Sequence, residues 1–402
     1  MSIKEIAYRI IRTAVLMGIS FFFLLPFFSP LRSPLKSMLF KHENLPVAKL
    51  IRHSDQHWDQ KPVIYTPENL GINLPWLDLH NGKSVINWLN TAYNATLIDN
   101  DLSEIQSMGV TKVRSFCQME SVFNFKDGRF ILNQRYAKNL DDFLSRAQKH
   151  GISVVCVMGD GNYEGQPQDL DGHLRWDLIQ KPEGLQAYKD AYISYINHFK
   201  NHTNILMWDM VNEPYGSITW SFSAKALKVT PQLVHAFLLQ SYKAIKPLAG
   251  TTPVGFSDVE EEQQQMYQLF SDPQKRKTLV DDCTDIYAMH IYRATASQVA
   301  DFRSLTGKPK WALELGDYNY DDPDAKEHPI PAANELYNTD ENYIAVTQIS
   351  PKLLNSGFSL IMPWAFAAND GMVKHNPDGS HTLLKLALFM KEQLLNYEHA
   401  KK

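Results

Sequence analysis

Two glutamates stand in or at the end of apolar runs, where an ionised side chain is costly to bury unless it meets a partner or faces a cleft. The first closes the stretch Ile205-Leu-Met-Trp-Asp-Met-Val-Asn-Glu-Pro-Tyr215, so that Glu213 follows the amide of Asn212 and precedes Pro214. The second, Glu314, lies in Trp311-Ala-Leu-Glu-Leu-Gly316. Around them the chain offers Arg114 in Val-Arg-Ser-Phe, His290 and Tyr292 in Met-His-Ile-Tyr, and Trp364 in Met-Pro-Trp. A strand alternates its side chains, so His290 and Tyr292 share one face. Two carboxylates backed by a guanidinium, an imidazole and a phenol are equipped for proton transfer and nucleophilic attack. Any one of these residues is more often structural. Seven of them at successive strand ends make a site.

The elements that must position them alternate between strand and helix. Apolar runs at Asn69–Leu74, Val110–Phe116, Ile152–Met158, Ile205–Asn212, Pro253–Ser257, Cys283–His290, Lys310–Leu315 and Ser359–Trp364 read as strands buried on both faces, as in a parallel sheet. Pro214 cannot donate to a ladder and disfavours helix at Glu213, so the fourth strand ends there. Amphipathic stretches at Ile98–Met108, Asn139–His150, Gly184–Phe199, Pro231–Ala249, Thr295–Leu305, Tyr343–Asn355 and Leu383–Leu394 read as helices, several stopped by glycine. Eight strands separated in this way predict an α/β protein, a closed (β/α)8 barrel of the TIM type, with its active face at the C-terminal strand ends. No glycine-rich phosphate loop follows the first strand, which disfavours a dinucleotide-binding sheet. The connections Gly159–Glu183, Tyr215–Thr230 and Gly316–Asn342 are long and rise on the active face, carrying aromatic residues such as Trp176 that could stack on sugar rings, although any single one more often simply pins its own loop.

This pattern, from about Asn69 to Trp364, resembles glycoside hydrolase clan A and within it the family-five hydrolases that include cellulases and β-mannanases. Asn212-Glu213-Pro214 matches the family's acid/base motif, and Glu314 in Leu-Glu-Leu-Gly matches its nucleophile. Arg114, His290, Tyr292 and Trp364 match the accompanying site residues. The resemblance implies a retaining β-glycosidase acting on a β-linked glucan, mannan or related envelope polysaccharide, with carboxyls about 5–5.5 Å apart. Arg114 and the Tyr292 hydroxyl would favour the charged form of Glu314, and Asn212 would bond the sugar 2-hydroxyl. His290 would orient Glu213 or the sugar, and Trp364 would floor the subsite. One departure concerns strand three, where the family usually carries a histidine and this chain has Met158-Gly159-Asp160. Asp160 is expected to meet a different substrate group. Transfer to a sugar acceptor would use the same carboxylates, and a barrel that grips sugar without cleaving it is the non-enzymatic alternative. The chemistry calls for no cofactor or metal, and no HxH or HExxH arrangement occurs.

The rest of the chain sets bounds. At 402 residues, 44% hydrophobic and 21% charged, it fits one large barrel with a sizeable core. A net charge of -4 without a long basic block argues against nucleic acid as partner. Lys4, Arg9 and Arg12 precede an uncharged, mostly apolar stretch from Thr13 to Leu31, the pattern of an export signal. No small-residue cleavage site follows at Phe27-Phe28-Ser29-Pro30, which favours an uncleaved signal anchor over a cleaved peptide. The expected organisation is thus an anchor or signal peptide over 1–31, a tether over 32–61 and the barrel over 62–402. The barrel would sit outside the cytoplasm, held to a membrane or secreted, as a monomer. Cys117, Cys156 and Cys283 form no CxxC pair and read as small buried residues, a Cys117–Cys156 pair being the alternative.

Overall fold

The structure, a computed structural model, describes residues 63–75, 77–78, 84–85, 88–89, 92–118, 123–161, 174–260, 268–292, 302–316, 339–366, 372–376 and 380–401. They belong to one compact unit, Gln60–Lys402. The stretch read as a signal anchor and the tether after it lie outside the described residues. Among the described residues no helix is long and apolar enough to cross a membrane.

Eight strands form one sheet in chain order: β1 (Ile72–Asn73), β2 (Lys112–Phe116), β3 (Ser153–Val157), β4 (Ile205–Asn212), β5 (Val254–Val259), β6 (Tyr287–Ile291), β7 (Lys310–Leu315) and β8 (Phe358–Pro363). Every neighbouring pair is parallel. The ring closes where Leu70 bridges Ile361: the Gly71 amide donates to the Ile361 carbonyl and the Ile361 amide to that of Asn69, both at 2.9 Å. All eight expected strands are present, and their ends shift by a few residues. The sixth begins at Tyr287 instead of Cys283 because Thr284 folds back, its hydroxyl donating to the Ile286 carbonyl at 2.6 Å.

Helices pack outside the ring: α1 (Ala95–Ser107), α2 (Gln134–Lys149), α3 (Pro182–Phe199), α4 (Pro231–Ala249), α5 (Thr339–Asn355) and α6 (Lys385–Ala400). Their starts follow local chemistry. Asn94 caps α1 by accepting from the Thr96 and Leu97 amides, Thr230 caps α4, and prolines open α3 and α4 where an amide would have no helical partner. Of the helix expected over Thr295–Leu305, only residues from 302 onward are described, and 302–304 are helical. Glu68, just before the ring, and Lys401, just after α6, attract one another across the N-terminal end of the barrel.

Inside the ring, Val155, Met207, Ile286, Ala288, Leu313, Leu360 and Met362 fill the lumen as one apolar cluster. The larger core lies between strands and helices. Above the apolar filling sits a buried polar layer of Asn73, Arg114, Asp209 and Ser257, and this layer carries the site. Three antiparallel strand pairs were not expected: the shortest joins Leu77–Asp78 to Ser84–Val85, and two are longer. One pairs Phe123–Lys126 with Arg129–Leu132 through Asp127-Gly128, both at positive φ (52° and 75°). The other pairs Val373–His375 with His381–Leu383. The three cysteines are buried and free, so the Cys117–Cys156 disulfide is not formed.

Candidate active site

Strand ends set the positions, and two irregularities set the aim. Between β4 and β5, Asp209 faces Gly255 while Asn212 faces Ser257, so three steps along β4 oppose two along β5. Between β6 and β7, Met289 faces Ala312 and His290 faces Glu314, leaving Leu313 as the extra residue. Bulges of this kind re-aim side chains beside active sites. Here one turns Asn212 toward the axis and the other sets Glu314 directly beside His290. Glu213 itself adopts φ 49°, a left-handed conformation uncommon for a residue with a side chain. Its amide donates to the Ser257 carbonyl at 2.7 Å, and Asp258 receives the amides of Tyr215 (2.7 Å) and Gly216 (3.2 Å), which pins the turn.

Arg114 is the hub of the layer below. Its Nη1 donates to Glu314 Oε1 at 2.5 Å and to Asn73 Oδ1 at 3.3 Å. Its Nη2 donates to Asn212 Oδ1 at 2.7 Å, Ser257 Oγ at 3.0 Å and Asp209 Oδ2 at 3.3 Å. A fully buried guanidinium is tolerable only because two carboxylates and three neutral acceptors surround it. Asp209 sits deepest. Burial pushes its carboxyl up to about 6 against the pull of Arg114 and the Ser257 hydroxyl, and its Oδ1 has no hydrogen-bond partner among the described residues.

The upper tier joins the two glutamates. Glu314 Oε2 accepts a hydrogen bond from the Tyr292 hydroxyl, so both its oxygens are held. His290 Nδ1 is 2.6 Å from Glu213 Oε1 and 3.6 Å from Glu314 Oε2. One carboxylate oxygen of each glutamate and that imidazole nitrogen all lie within 4.8 Å of one another. Burial lowers the His290 pKa to about 3, Arg114 adding to the effect and Glu314 opposing it, so the ring is neutral near neutral pH. A neutral ring donates from Nδ1 to ionised Glu213 in one tautomer and accepts the Glu213 proton in the other. Glu213, His290 and Glu314 are donor types that could ligate a metal, but Arg114 already supplies the positive charge at Glu314 and would repel a second cation.

Each residue picked out from the sequence is described, and all eight join this network or its rim. Asn212 accepts from Arg114 through Oδ1, which fixes the amide orientation, and its Nδ2 donates to Asp160 Oδ1 at 3.0 Å. Trp364 meets Phe116 edge-on at 6.4 Å, and Phe116 lies under the Arg114 guanidinium. Trp176 takes the loop-pinning role and not the stacking one. It is buried at 1% exposure, so it offers no face to a sugar. Asn73, Asp209, Ser257 and Asp258 were missed, although Asp209 breaks an apolar strand by the same rule that singled out Glu314.

The model of the family described as cellulase (glycosyl hydrolase family 5) matches residues 71–358. The chain belongs to glycosyl hydrolase family 5. This family-five hydrolase shares its fold with a β-mannanase of the blue mussel Mytilus edulis, at 17% identity and a TM-score of 0.53 over 80% of this chain and 90% of that one. It is also similar to an exo-β-1,4-mannosidase of Opitutaceae bacterium strain TAV5, at 16% identity and a TM-score of 0.58 over 83% of this chain and 60% of that one. A third relative in fold is a Streptomyces cattleya protein in complex with Manβ1-4GlcNAc, at 13% identity and a TM-score of 0.55 over 82% and 80%. A search of curated proteins finds no match. The family-five hydrolase is therefore a glycoside hydrolase.

Proposed function

We propose that the chain is a retaining β-glycosidase that cleaves a β-linked mannan, glucan or related polysaccharide by double displacement. The observation that carries this is the approach of the two glutamates within 4.8 Å, bridged by a neutral imidazole. Carboxylate oxygens this close fit the short separation of a retaining pair better than the wider gap that an inverting enzyme keeps for a water. In the first step a Glu314 oxygen bonds to the anomeric carbon, the bond to the leaving oxygen breaks, and Glu213 gives that oxygen its proton. In the second, Glu213 takes a proton from water, the water oxygen bonds to the same carbon, and Glu314 leaves. Arg114 and Tyr292 fit the task of holding Glu314 as an anion aimed upward. Asn212 keeps a second Nδ2 hydrogen for the sugar 2-hydroxyl, a contact that strengthens as the transition state forms. The basic and apolar amino-terminal segment further supports placing the enzyme outside the cytoplasm, attached to a membrane or released.

The test separates the two glutamates. Glu314→Gln should lose several orders of magnitude in turnover on every substrate. Glu213→Ala should lose much less in the first step on an activated aryl glycoside, and azide should restore it with a β-configured product. Azide with the Glu314 variant should give only the α product. A swap of these behaviours reverses the two roles, and full activity of both variants on oligosaccharides that the native enzyme cleaves places the chemistry elsewhere.

A further inference from the structure

A second cluster of ligand-type side chains lies away from the glutamates, where α1 meets the hairpin that follows β8. Asp101 is buried in the middle of α1. His375 and His381 stand directly opposite each other on the two strands of the hairpin, their ring centroids 4.6 Å apart. Their Nε2 atoms both point at one atom, Asp101 Oδ1, at 3.0 and 2.8 Å. The side chains are 3–4% exposed, and the three ligating atoms lie within 4.8 Å of one another. Ring and carboxylate are set by the fold rather than by a flexible surface: the Phe366 ring packs 5.7 Å from that of His381, and Asn376 ties the hairpin end to Ser380 and Thr382.

We propose that Asp101, His375 and His381 form a binding site for one divalent transition metal, zinc in the first instance. Two imidazole nitrogens and a carboxylate oxygen are the donors that zinc and its first-row neighbours take, whereas calcium and magnesium prefer oxygen alone. With bonds of about 2.0–2.1 Å, ligands of a tetrahedral ion sit about 3.3 Å apart. The observed 2.8 and 3.0 Å need to open by only a few tenths of an ångström, as one ion replaces the two Nε2 protons that otherwise meet on a single oxygen. A water completes the set. The ion would act as a brace. The hairpin's Met372 and Val373 amides donate to the Ala365 and Phe366 carbonyls, and the Phe366 amide donates to Asn73. Fastening the hairpin to α1 therefore steadies the chain leaving β8, directly after Trp364.

The experiment takes the full chain, strips it with a chelator, and titrates it separately with Zn(II) and with Co(II). The expected result is one equivalent of Zn(II) bound in the calorimeter. Bound Co(II) should show the intense visible bands of a four-coordinate site, and saturating Zn(II) should raise Tm by about 5 °C. Asp101→Asn, which keeps an acceptor for an imidazole N–H, should lose the spectrum and the Tm rise, and His381→Gln should do the same. Cys283→Ser, in the more exposed His235–Asp282–Cys283 group, should retain both. The native chain alone decides the matter if the variants do not fold. Absence of the Co(II) bands and of any Zn(II)-dependent rise in Tm overturns the proposal, as does an unchanged response in Asp101→Asn.

Discussion

Arg114 is shared between Asp209 below it and Glu314 above, and the network is lopsided by design. The contact to Glu314 is short at 2.5 Å, while the contacts to Asp209 are 3.3–3.4 Å. The tighter pairing goes to Glu314, the proposed nucleophile. Tyr292 adds a neutral donor to the other Glu314 oxygen. A hydrogen bond to a charged acceptor contributes about 1.5–3 kcal/mol. Tyr292→Phe should therefore lower kcat by on the order of tenfold to a hundredfold while KM changes little. Steady-state kinetics on an oligosaccharide tests this, and an unchanged kcat would mean that the phenol only fills space. Glu260, which follows β5 and whose amide donates to the His290 carbonyl, titrates in a different window. Burial raises its carboxyl to about 7, against hydrogen bonds from the Phe270 and Ser271 amides and the Ser271 hydroxyl. Between pH 4.5 and 7 the folded state keeps a proton that the unfolded state has released, so this group's contribution to stability falls as pH rises. Native protein and Glu260→Gln, unfolded by denaturant at pH 5 and at pH 7.5, should differ in pH response by on the order of 3 kcal/mol. Equal slopes would show that the carboxyl is ionised throughout.

At the scale of elements, the close approach of β3's exit to β4's end fixes Glu213, the proposed acid/base. Gly161 donates its amide to the Asn212 carbonyl at 2.8 Å, and a Cβ there would lie 2.8 Å from the Glu213 carbonyl oxygen and 2.9 Å from that of Asn212. Both are backbone atoms, so relief requires moving the turn that carries Glu213. Gly161→Ala should cost about 1–3 kcal/mol and depress kcat at least tenfold. Gly128→Asn, at an open hairpin turn with φ 75°, should be nearly silent in activity and Tm. The strand-end residues were legible because apolar runs and their terminating Pro and Gly mark where each strand stops. The bulges were not. Nothing in Met210-Val211-Asn212 or Ala312-Leu313-Glu314 announces an extra residue, since register is decided by the neighbouring strand and not by the bulged one. Asp209 was visible as an anomaly but needs Arg114 in place before it acquires a meaning. The Phe123–Leu132 hairpin carried a readable turn signal in Asp127-Gly128.

At the scale of the molecule, the ring is complete within the unit that starts at Gln60, since strands one and eight bond through Asn69, Gly71 and Ile361. A chain starting at Gln60 should fold cooperatively, as a monomer by light scattering, with the Tm and kcat of the full chain. A fragment that aggregates or melts well below it would show that earlier residues belong to the fold. The full chain should sediment with membranes and the fragment should not. Recovery of the full chain in the supernatant with its amino terminus intact would remove the anchor reading. The attraction between Glu68 and Lys401 has a practical consequence. Glu68 and Lys401, near the two ends of the folded unit, lie at the floor of the barrel, and both glutamates occupy its opposite rim. Coupling the enzyme to a resin or a carrier protein through either end leaves the cleft turned toward the solution. An insoluble polysaccharide can then be approached by the immobilised enzyme without a long spacer, whichever end is chosen.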